Sequence, residues 1–474
     1  MTKILLTHSY FYQLDPKQWR NKTPYPPLGT ITAFAHLDQT HGPVGFYDVA
    51  LDPGPGKCIE TMKTMNPQIV IIYDDGFNYL TKMCLTNMRE ACFELIKSAK
   101  QLGATVLVSS SDSTDHSLLY HEQGADIVIH GEGEETLVEC VDRITGNESF
   151  SDVKGISFLT ETGLVKTPPR TREKDLDVFP MARWELIDIP AYKAIWDAGK
   201  FPFTLNISTT RGCPFKCNWC AKPIYGNRYN SRSPENVVEE LQLLNTKYSA
   251  KHFWITDDIF GLKPGWVTRF NELIQEKKLN IRYKIQSRAD LLLVDKTIEE
   301  LVASGLEEVW MGAESGSQKI LDAMDKGITI EQITNSTKLL QEKGARVAYF
   351  LQFGYLGETK EDIQSTIEMV RTNRPDDIGI SVSYPLPGTK FYERVKQEMG
   401  SKSNWKDSDD LDMLFAGTFH ADFYRKLQRY VHHSFRTRQG IEKWKAPSRV
   451  TSWRYAFLVP YNAAFASLLK LKLR

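Results

Sequence analysis

The chain begins with short apolar runs that alternate with stretches of helical period. These runs are rich in β-branched residues and lie at 3–9, 44–49, 69–75, 104–111 and 125–131. Apolar residues three and four positions apart fill the intervals, and this alternation is typical of a parallel sheet covered by helices on both faces. The pattern predicts a doubly wound, Rossmann-like α/β domain over residues 1–147.

A hairpin pattern and a connector follow this domain. Two alternating runs joined by a Gly-containing turn form "KGISFLTETGLVKT", and such runs are typical of paired antiparallel strands. The next segment is rich in proline and charged residues and shows neither the alternation typical of a strand nor the apolar spacing typical of a helix. Residues 148–200 are therefore predicted to be a linker with a hairpin.

A second series of strands and helices begins near residue 201. Its candidate strands are "FTLNISTT", "KHFWITDD", "RYKIQSR", "EEVWMGAES", "ARVAYFLQFG" and "DIGISVSYP". Helical segments separate them; in one, Ser233 is suited to cap a helix and Pro234 to occupy its first position. Six strands with crossovers predict a partial (βα)6 barrel over residues 201–395, with its chemistry where the strands end.

The C-terminal region, residues 396–474, is aromatic and basic and lacks this rhythm. It predicts a small helical region that contacts the barrel or the substrate. Its last stretch, "RYAFLVPYNAAFASLLKLKLR", is interrupted by Pro460 and Asn462, so it is not predicted to span a bilayer. A helix packed on the barrel is favoured over an amphipathic helix that lies on a membrane surface.

Charge and cysteine usage narrow the class of protein. The 59 Lys and Arg balance 59 Asp and Glu, so no overall field attracts nucleic acid. The N-terminus lacks the apolar core of a signal peptide, which favours a cytoplasmic location. In such a chain, cysteines are expected to be thiols or metal ligands rather than disulfides. Four scattered ones are predicted to be small buried apolar residues: Cys58, Cys84, Cys92 and Cys140.

The other three cysteines lie together in "RGCPFKCNWC", just after the first strand of the second series. A [4Fe-4S] cluster held by Cys213, Cys217 and Cys220 would have one iron without a protein ligand, where a small molecule can bind. A structural zinc site would need a fourth Cys or His, and the nearest downstream histidine is His252. Gly and Pro indicate a loop, so three unrelated core cysteines are disfavoured.

This stretch resembles the radical S-adenosylmethionine (SAM) superfamily, whose signature is C-x3-C-x2-C with an aromatic residue, here Trp219, before the last cysteine. The resemblance implies that the amine and carboxylate of SAM chelate the open iron. One electron then cleaves SAM to a 5'-deoxyadenosyl radical. At matching places the resemblance implies SAM contacts from Trp219, Gln286, Arg288, Glu314 and Ser315. For each polar one, an ordinary surface residue is the alternative.

Two further strand ends carry polar or glycine-rich sequence. Asp257 and Asp258 end the second strand of the series and are predicted to contact the SAM amine or the substrate, or to cap a helix. The segment "FGYLGET" at 353–359 resembles the loop after the fifth strand in the same superfamily, but a tight turn explains its glycines equally well.

The first domain, with "YPPLGT", "GEGEET" and "PLPGTKFYE", resembles the cobalamin-binding class of radical SAM enzymes. That class includes C-methyltransferases and the anaerobic magnesium-protoporphyrin IX monomethyl ester cyclase. D-x-H-x-x-G is absent from the chain, which implies cobalt without a His axial ligand. The glycines of "GEGEET" can also be explained by a turn. The implied cobalamin contacts are Pro27, Leu28, Gly29, Ser109, Ser110, Gly131, Glu132 and Gly133.

The class implies a reaction at an unactivated carbon. The radical removes hydrogen, and methyl transfer from methylcobalamin is favoured, with oxidative cyclisation or rearrangement as the alternative. An apolar or lipid-like small-molecule substrate and an external electron donor are expected partners; no further catalytic residue is predicted.

Other classes of protein fit the sequence less well. A tRNA methylthiolating enzyme needs a second group of three cysteines, and the remaining cysteines of this chain have the wrong spacing. A non-catalytic cobalamin carrier needs no such group, so the one present counts against it. A nicotinamide enzyme would have G-x-G-x-x-G where "THSYFYQ" stands.

Overall fold

The structure is a computed structural model that describes residues 2–77, 86–220, 224–399, 414–415, 417–445 and 452–473. The described residues form two main sheets, one in the first domain and one in the barrel. A short two-stranded ribbon and a C-terminal pair of long helices complete them.

The first sheet has seven strands in the order β2-β1-β3-β4-β5-β6-β7. The first five, which match the predicted apolar runs, are parallel; β6 and β7 are antiparallel. The strands are β1 (Ile4–Thr7), β2 (Gly45–Phe46), β3 (Ile69–Tyr73), β4 (Thr105–Ser109), β5 (Ile127–Ile129), β6 (Ile156–Thr160) and β7 (Gly163–Lys166). The helices are α1 (Pro16–Asn21), α2 (Leu28–His41), α3 (Gly56–Met65), α4 (Thr86–Gln101), α5 (Ser111–Asp115), α6 (Ser117–Glu122), α7 (Glu134–Gly146) and α8 (Ile189–Asp197).

The hairpin within the segment predicted as a linker is part of this sheet. Its strand β6 pairs with β5, with Ile156 opposite Ile129. Ile156 is fully buried and the outer strand β7 is not, so the hairpin covers one edge of the sheet.

The second sheet has six parallel strands in the order β15-β14-β13-β12-β11-β8, as expected of a partial (βα)6 barrel. The strands are β8 (Thr204–Ile207), β11 (His252–Ile255), β12 (Arg282–Ser287), β13 (Leu306–Glu314), β14 (Arg346–Phe353) and β15 (Asp377–Val382), and the ribbon is β9 (Thr210–Arg211) with β10 (Asn230–Ser231). The helices are α9 (Pro234–Tyr248), α10 (Trp266–Glu276), α11 (Ala289–Leu292), α12 (Thr297–Ala303), α13 (Gln318–Ala323), α14 (Ile330–Glu342), α15 (Lys360–Asn373) and α16 (Lys390–Val395).

Side chains alternate along the barrel strands as their sequence pattern requires. On β12, Tyr283 and Ile285 are buried in the core beneath the helices, whereas Lys284 and Gln286 are half-buried on the other face. At the start of α9 the Ser233 hydroxyl accepts a hydrogen bond from the Asn236 amide at 3.1 Å, which confirms the predicted cap. The predicted fold class, a doubly wound domain plus a partial barrel, is confirmed.

The first domain packs against the hydrophobic core of the barrel. Leu28, Ile31 and Phe77 from the first domain pack in the same cluster as the barrel helices. The amide of Asn206 on β8 donates to the carbonyl of Pro26 at 3.1 Å, which fixes the segment before α2 against the barrel. The carboxyl edges of both sheets thus lie next to each other.

Two long helices, α17 (Ala421–Lys445) and α18 (Ser452–Lys472), form the C-terminal region. Leu427, Val431 and Phe435 of α17 are buried against the barrel. The favoured prediction for the last helix differs from the structure, because α18 packs on α17, where His433 Nδ1 lies 2.8 Å from Asn462 Oδ1. Helix α18 continues through Pro460. None of the helices in the described ranges is long and apolar enough to cross a membrane.

Three of the four scattered cysteines, Cys58, Cys92 and Cys140, are buried as predicted. Burial raises the pKa of the Cys140 thiol to about 12, as expected of an inert core residue. Cys84 lies outside the described residues.

Candidate active site

The three clustered cysteines lie on the loop that follows β9, at the carboxyl edge of the barrel sheet. Gly212 begins this loop with φ +80°, and a Cβ there would collide with the carbonyl oxygen of Arg228, so only glycine fits. The Cys220 amide donates to the Cys217 carbonyl at 3.3 Å, which makes the loop a tight turn. Cys213, Cys217 and Cys220 are all half-buried and none forms a disulfide.

Asn218 anchors this cysteine loop to the barrel. Its side-chain amide donates to the Ala323 carbonyl at 2.7 Å, and its own amide oxygen accepts from the Tyr355 hydroxyl at 2.7 Å. Its backbone N–H donates to the Met324 carbonyl at 3.0 Å and its carbonyl accepts from the Phe391 amide at 2.9 Å. Because every polar group of this buried residue is bonded, the loop is held in one position relative to β13 and β14.

The donor set fits an iron–sulfur cluster. Among the residues that can be described, no three Cys, His, Asp or Glu side chains converge on one point as the ligands of a single metal ion would. A [4Fe-4S] cluster does not require such convergence, since each thiolate binds a different iron. Three thiols on one loop match the number of protein ligands that leaves one iron of such a cluster open.

A buried ion pair lies beside the cysteine loop. Lys326 Nζ donates to Glu314 Oε1 at 2.8 Å, and their exposed fractions are 7% and 4%. Burial by itself would lower the pKa of Lys326, but the Glu314 carboxylate and then the Cys217 sulfur raise it above its usual value. A cation is therefore held next to Cys217, where it stabilises negative charge.

Glu314 owes its position to an irregularity at the end of β13. The register with β14 shifts between Gly312 and Glu314, and Glu314 has φ +57°. Non-glycine residues seldom adopt this conformation, and where they do a functional constraint is a common cause. The structure thus places the predicted SAM residue Glu314 at the barrel mouth with Lys326 as its partner.

The predicted SAM residue Arg288 holds the cysteine loop from the other side. Its guanidinium lies 3.7 Å from the ring centre of Phe215, donates to Asp290 at 3.0 Å and to the carbonyl of Lys326 at 2.8 Å. Its second terminal nitrogen donates to the carbonyl of Gly327 at 3.1 Å, so all three guanidinium nitrogens are hydrogen-bonded. Its contact with the SAM carboxylate stays a prediction, whereas its contact with the cysteine loop is direct.

The remaining SAM candidates lie on β12, after β13 and in the cysteine loop, and Ser315 is fully buried. Gln286 is half-buried on β12, and the hydroxyl of Ser315 lies 3.1 Å from that of Thr366. Trp219 is half-buried in the cysteine loop, and its indole Nε1 is buried with no hydrogen-bond partner in the described parts of the chain. An unsatisfied buried donor in a cofactor loop is what a missing ligand would explain.

Asp257 and the loop after the fifth barrel strand stabilise the backbone at the carboxyl edge of the barrel sheet. The Asp257 carboxylate accepts from the backbone amides of Thr209 and Thr210 at 2.7 and 3.0 Å, just before the cysteine loop. Burial raises the pKa of Asp257 to about 6, although these hydrogen bonds oppose the shift. Gly354 and Gly357 both have positive φ, which agrees with the tight turn considered for "FGYLGET".

Sequence reasoning missed a buried ion cluster that joins the two domains. Arg211, directly before the cysteine loop, donates to Glu132 and, at 2.7 Å, to Glu134. Its guanidinium carbon also lies 4.3 Å from the ring centre of Phe179 and 5.4 Å from that of Tyr225. Burial by itself would lower the pKa of Arg211, but the Glu134 and Glu132 carboxylates raise it. The cysteine loop is thereby tied to the "GEGEET" turn of the first domain.

The predicted cobalamin contacts lie along the edge of the first sheet, most of them buried in the protein. Gly29 approaches Asp75 so closely that a Cβ would be 2.8 Å from its carboxylate, and Ser110 caps α5 through the Ser113 amide. Glu132 accepts a hydrogen bond from Arg211. Residues 78–85 after β3 and 221–223 after Cys220 lie outside the described residues. The others lie at the end of β4, after β5, or at the starts of α2 and α7: Pro27, Leu28, Ser109, Gly131 and Gly133.

Comparison with known families identifies the barrel. Residues 207–370 match the model of the radical SAM superfamily, a segment that begins at the end of β8 and includes the cysteine loop. These residues are a radical SAM domain, and the resemblance predicted from the sequence is confirmed.

Two named relatives align with different parts of the chain. An uncharacterized methyltransferase of Pyrococcus horikoshii is 26% identical over 88% of this chain and 89% of its own length. The anaerobic magnesium-protoporphyrin IX monomethyl ester cyclase of Rubrivivax gelatinosus is 28% identical over 58% of this chain and 49% of the cyclase.

A solved structure shares the complete architecture. The cobalamin-dependent SAM radical enzyme OxsB, solved with aqua-cobalamin bound, matches 99% of this chain and 72% of its own length, with a TM-score of 0.75 and 17% identity. At that identity the similarity shows the fold: a Rossmann-like domain, a partial barrel and C-terminal helices in one arrangement.

Proposed function

We propose that this chain, whose residues 207–370 are a radical SAM domain, is a cobalamin-dependent radical SAM enzyme that methylates an unactivated carbon. The observation that carries the proposal is the anchored loop with three half-buried thiols, beside a buried cation at the barrel mouth and facing the edge of a Rossmann-like sheet. A [4Fe-4S] cluster with SAM supplies a carbon radical that removes hydrogen from substrate, and cobalamin supplies the methyl group.

In this proposal Cys213, Cys217 and Cys220 hold the cluster, and Asn218 fixes the loop that carries them. Lys326 offsets part of the negative charge that three thiolates bring into a half-buried site. Three protein ligands leave one iron for SAM.

Five side chains are proposed to bind SAM around this iron. Glu314 is an acceptor for the SAM amine, and Trp219 offers its buried indole N–H. Gln286 on β12 and Ser315, next to Glu314, are further proposed contacts. Arg288, which already packs on the cysteine loop, would bind the carboxylate by exchanging its contact with Asp290.

Cobalamin is proposed to lie between the two sheet edges. Ligands of doubly wound sheets bind outside the carboxyl ends of the strands, and here that edge faces the barrel mouth. The proposed contacts are those at the start of α2 and after β4 and β5. The division into a cobalamin domain, a linker with a hairpin, a barrel and a C-terminal helical region is part of the same proposal.

The partners proposed are a small-molecule substrate with an apolar or lipid-like body, an external one-electron donor and a membrane surface contacted by the C-terminal helices. A cytoplasmic location is also proposed. Methylation is favoured over oxidative cyclisation because the methyltransferase relative aligns with nearly the whole chain, whereas the cyclase relative aligns with 58% of it.

The test supplies anaerobically purified protein with cobalamin, a reductant and SAM that carries a deuterated methyl group. An extract of cells that lack the protein serves as the substrate source. Methylation predicts equal amounts of 5'-deoxyadenosine and S-adenosylhomocysteine, and a metabolite that gains the labelled methyl group. Cyclisation predicts 5'-deoxyadenosine, no S-adenosylhomocysteine and a metabolite that loses two hydrogens.

The Cys217→Ala variant is the control for the cluster. It should fold, as judged by circular dichroism, and form no 5'-deoxyadenosine. Absence of 5'-deoxyadenosine with the wild-type chain, or equal formation by the variant, would contradict the proposal. Failure to bind any corrinoid would remove its cobalamin part.

A further inference from the structure

The C-terminal helix α18 exposes a continuous apolar stripe. Its inward face is formed by Asn462, Ala466 and Leu469, which are at most 9% exposed. The outward stripe is mainly aromatic and leucine, with exposed fractions of 40–74%: Phe457, Tyr461, Phe465, Leu468 and Leu471. Intervals of three and four residues place these side chains on one side of the helix. The stripe is larger than scattered surface hydrophobics would explain.

The partner helix α17 presents a basic row. Arg429, Arg436 and Lys443 are exposed and recur every seven residues, so they share one side of α17. His433 lies on that side too, one turn after Arg429, and its ring stacks on Phe465 of the apolar stripe with ring centres 5.3 Å apart. The basic row and the apolar stripe therefore lie on adjoining sides of the helical pair.

The charge of this region differs from that of the whole chain. Residues 421–474 contain twelve Lys or Arg and two Asp or Glu, although the complete chain has equal numbers of both. An apolar stripe bordered by basic side chains complements an anionic bilayer, in which rings and leucines enter the headgroup boundary and Lys and Arg contact lipid phosphates. A second copy of this chain would bring two basic rows together, which disfavours a dimer through this face.

We infer that the pair α17 and α18 docks the protein on the surface of an anionic lipid bilayer, with α18 lying in the plane of the interface. The inference deepens the membrane contact that is part of the proposed function. It is independent of the radical chemistry, because none of these residues lies at the barrel mouth. Docking would present a membrane-dissolved apolar substrate to the enzyme without a membrane-spanning segment.

The experiment is flotation of the full chain with vesicles under anaerobic conditions. One set contains phosphatidylcholine with 30% phosphatidylglycerol, and the other phosphatidylcholine alone. We expect at least tenfold more protein bound to the anionic vesicles, and a several-fold loss of binding at high salt because the basic row is exposed. Absence of binding to anionic vesicles, or equal binding to both sets, would overturn the inference.

Variants separate the two parts of the surface. The double variant Phe457→Ser, Leu471→Ser removes apolar side chains and should lower binding at least tenfold at both salt concentrations. Arg429→Gln with Arg436→Gln should lower it mainly at low salt. Val178→Ser removes a side chain that is 58% exposed elsewhere and Lys338→Gln removes an exposed charge on α14; both should bind like the wild type. Wild-type binding by the apolar double variant would contradict insertion of the stripe.

Two readouts in the same samples distinguish the outcomes. Cleavage of SAM in vesicle-free buffer should be unchanged in all of these variants. Intact cleavage without vesicle binding would overturn the docking inference alone, and vesicle binding without cleavage would overturn the proposed chemistry alone. Self-association in sedimentation that the apolar double variant abolishes would assign the face to a second copy instead.

Discussion

Replacing Arg211 by methionine removes the cation that joins the cysteine loop to the first domain. Methionine keeps most of the volume of the side chain and removes its donors. Arg211 is 5% exposed, and it is the donor to both Glu132 and Glu134, which are themselves nearly buried. The variant thus leaves two carboxylates close together in an apolar environment, among Phe77, Phe179 and Tyr225.

The size of the effect follows from this burial. Removal of one member of a buried ion pair costs about 3–5 kcal/mol, because the remaining charge is left uncompensated. If both carboxylates are first made neutral, as in Glu132→Gln with Glu134→Gln, the same replacement loses only the contact of the guanidinium with the rings, about 1–2 kcal/mol. The coupling between Arg211 and the two carboxylates should therefore be about 1–4 kcal/mol.

The assay is urea unfolding of the four proteins of this cycle, followed by circular dichroism and by tryptophan fluorescence. Coincident transitions are needed before the free energies of unfolding are compared. We expect Arg211→Met to be much less stable than the wild type, and the triple variant to recover part of the loss. An equal cost of Arg211→Met in both backgrounds would refute the argument, since it would mean that the carboxylates are not buried against this cation.

Three other substitutions have defined outcomes. Asn218→Ala should lower the iron retained after anaerobic reconstitution at least twofold, because the cysteine loop loses its anchor. The control Asn245→Ala removes a similar bond, from a side chain on α9 to the backbone carbonyl of Ala250, and should retain wild-type iron. Equal iron in both variants would contradict the anchoring role of Asn218. Glu314→Gln should weaken SAM binding about tenfold, the loss expected for a hydrogen bond to a charged group, as measured by equilibrium dialysis with the cluster intact; an unchanged Kd would contradict its role. Burial raises the pKa of Glu358 to about 8 in the folded protein, whereas the pKa in the unfolded chain is about 4.3. The folded state therefore holds this proton more tightly, and the stability that Glu358 contributes at low pH is lost as the pH rises from about 4.3 through about 8. Glu358→Gln should flatten the pH dependence of the free energy of unfolding over this range, whereas the control Glu331→Gln, at an exposed site, should not. The same slope in both variants would show that Glu358 is not the cause.

The sequence predicted those features that depend on local pattern. The strands follow from apolar runs, because a strand buried in a parallel sheet needs apolar side chains on both faces. The cysteine loop follows from the spacing of three thiols with glycine and proline. The cap of α9 follows from Ser233 and Pro234, whose preferences are local.

Features that depend on distant residues were not predictable in this way. Arg211 and its two carboxylates are nearly eighty positions apart in the chain, and nothing in the local sequence indicates that they pair. Lys326 gives no signal in the sequence, because its significance comes from burial beside Glu314. The packing of α18 on α17 instead of on the barrel depends on which face of α18 is inward, and its apolar composition on nearly all sides does not specify one.

The central claim is that this chain holds a [4Fe-4S] cluster by three thiolates and leaves one iron for SAM. Electron paramagnetic resonance of the anaerobically reconstituted, reduced protein tests it most directly, together with iron and sulfide analysis. The account predicts one cluster per chain, a spectrum that changes when SAM is added, and loss of both in Cys217→Ala. A zinc-containing protein, or a cluster whose spectrum SAM leaves unchanged because four protein ligands complete it, would contradict the account.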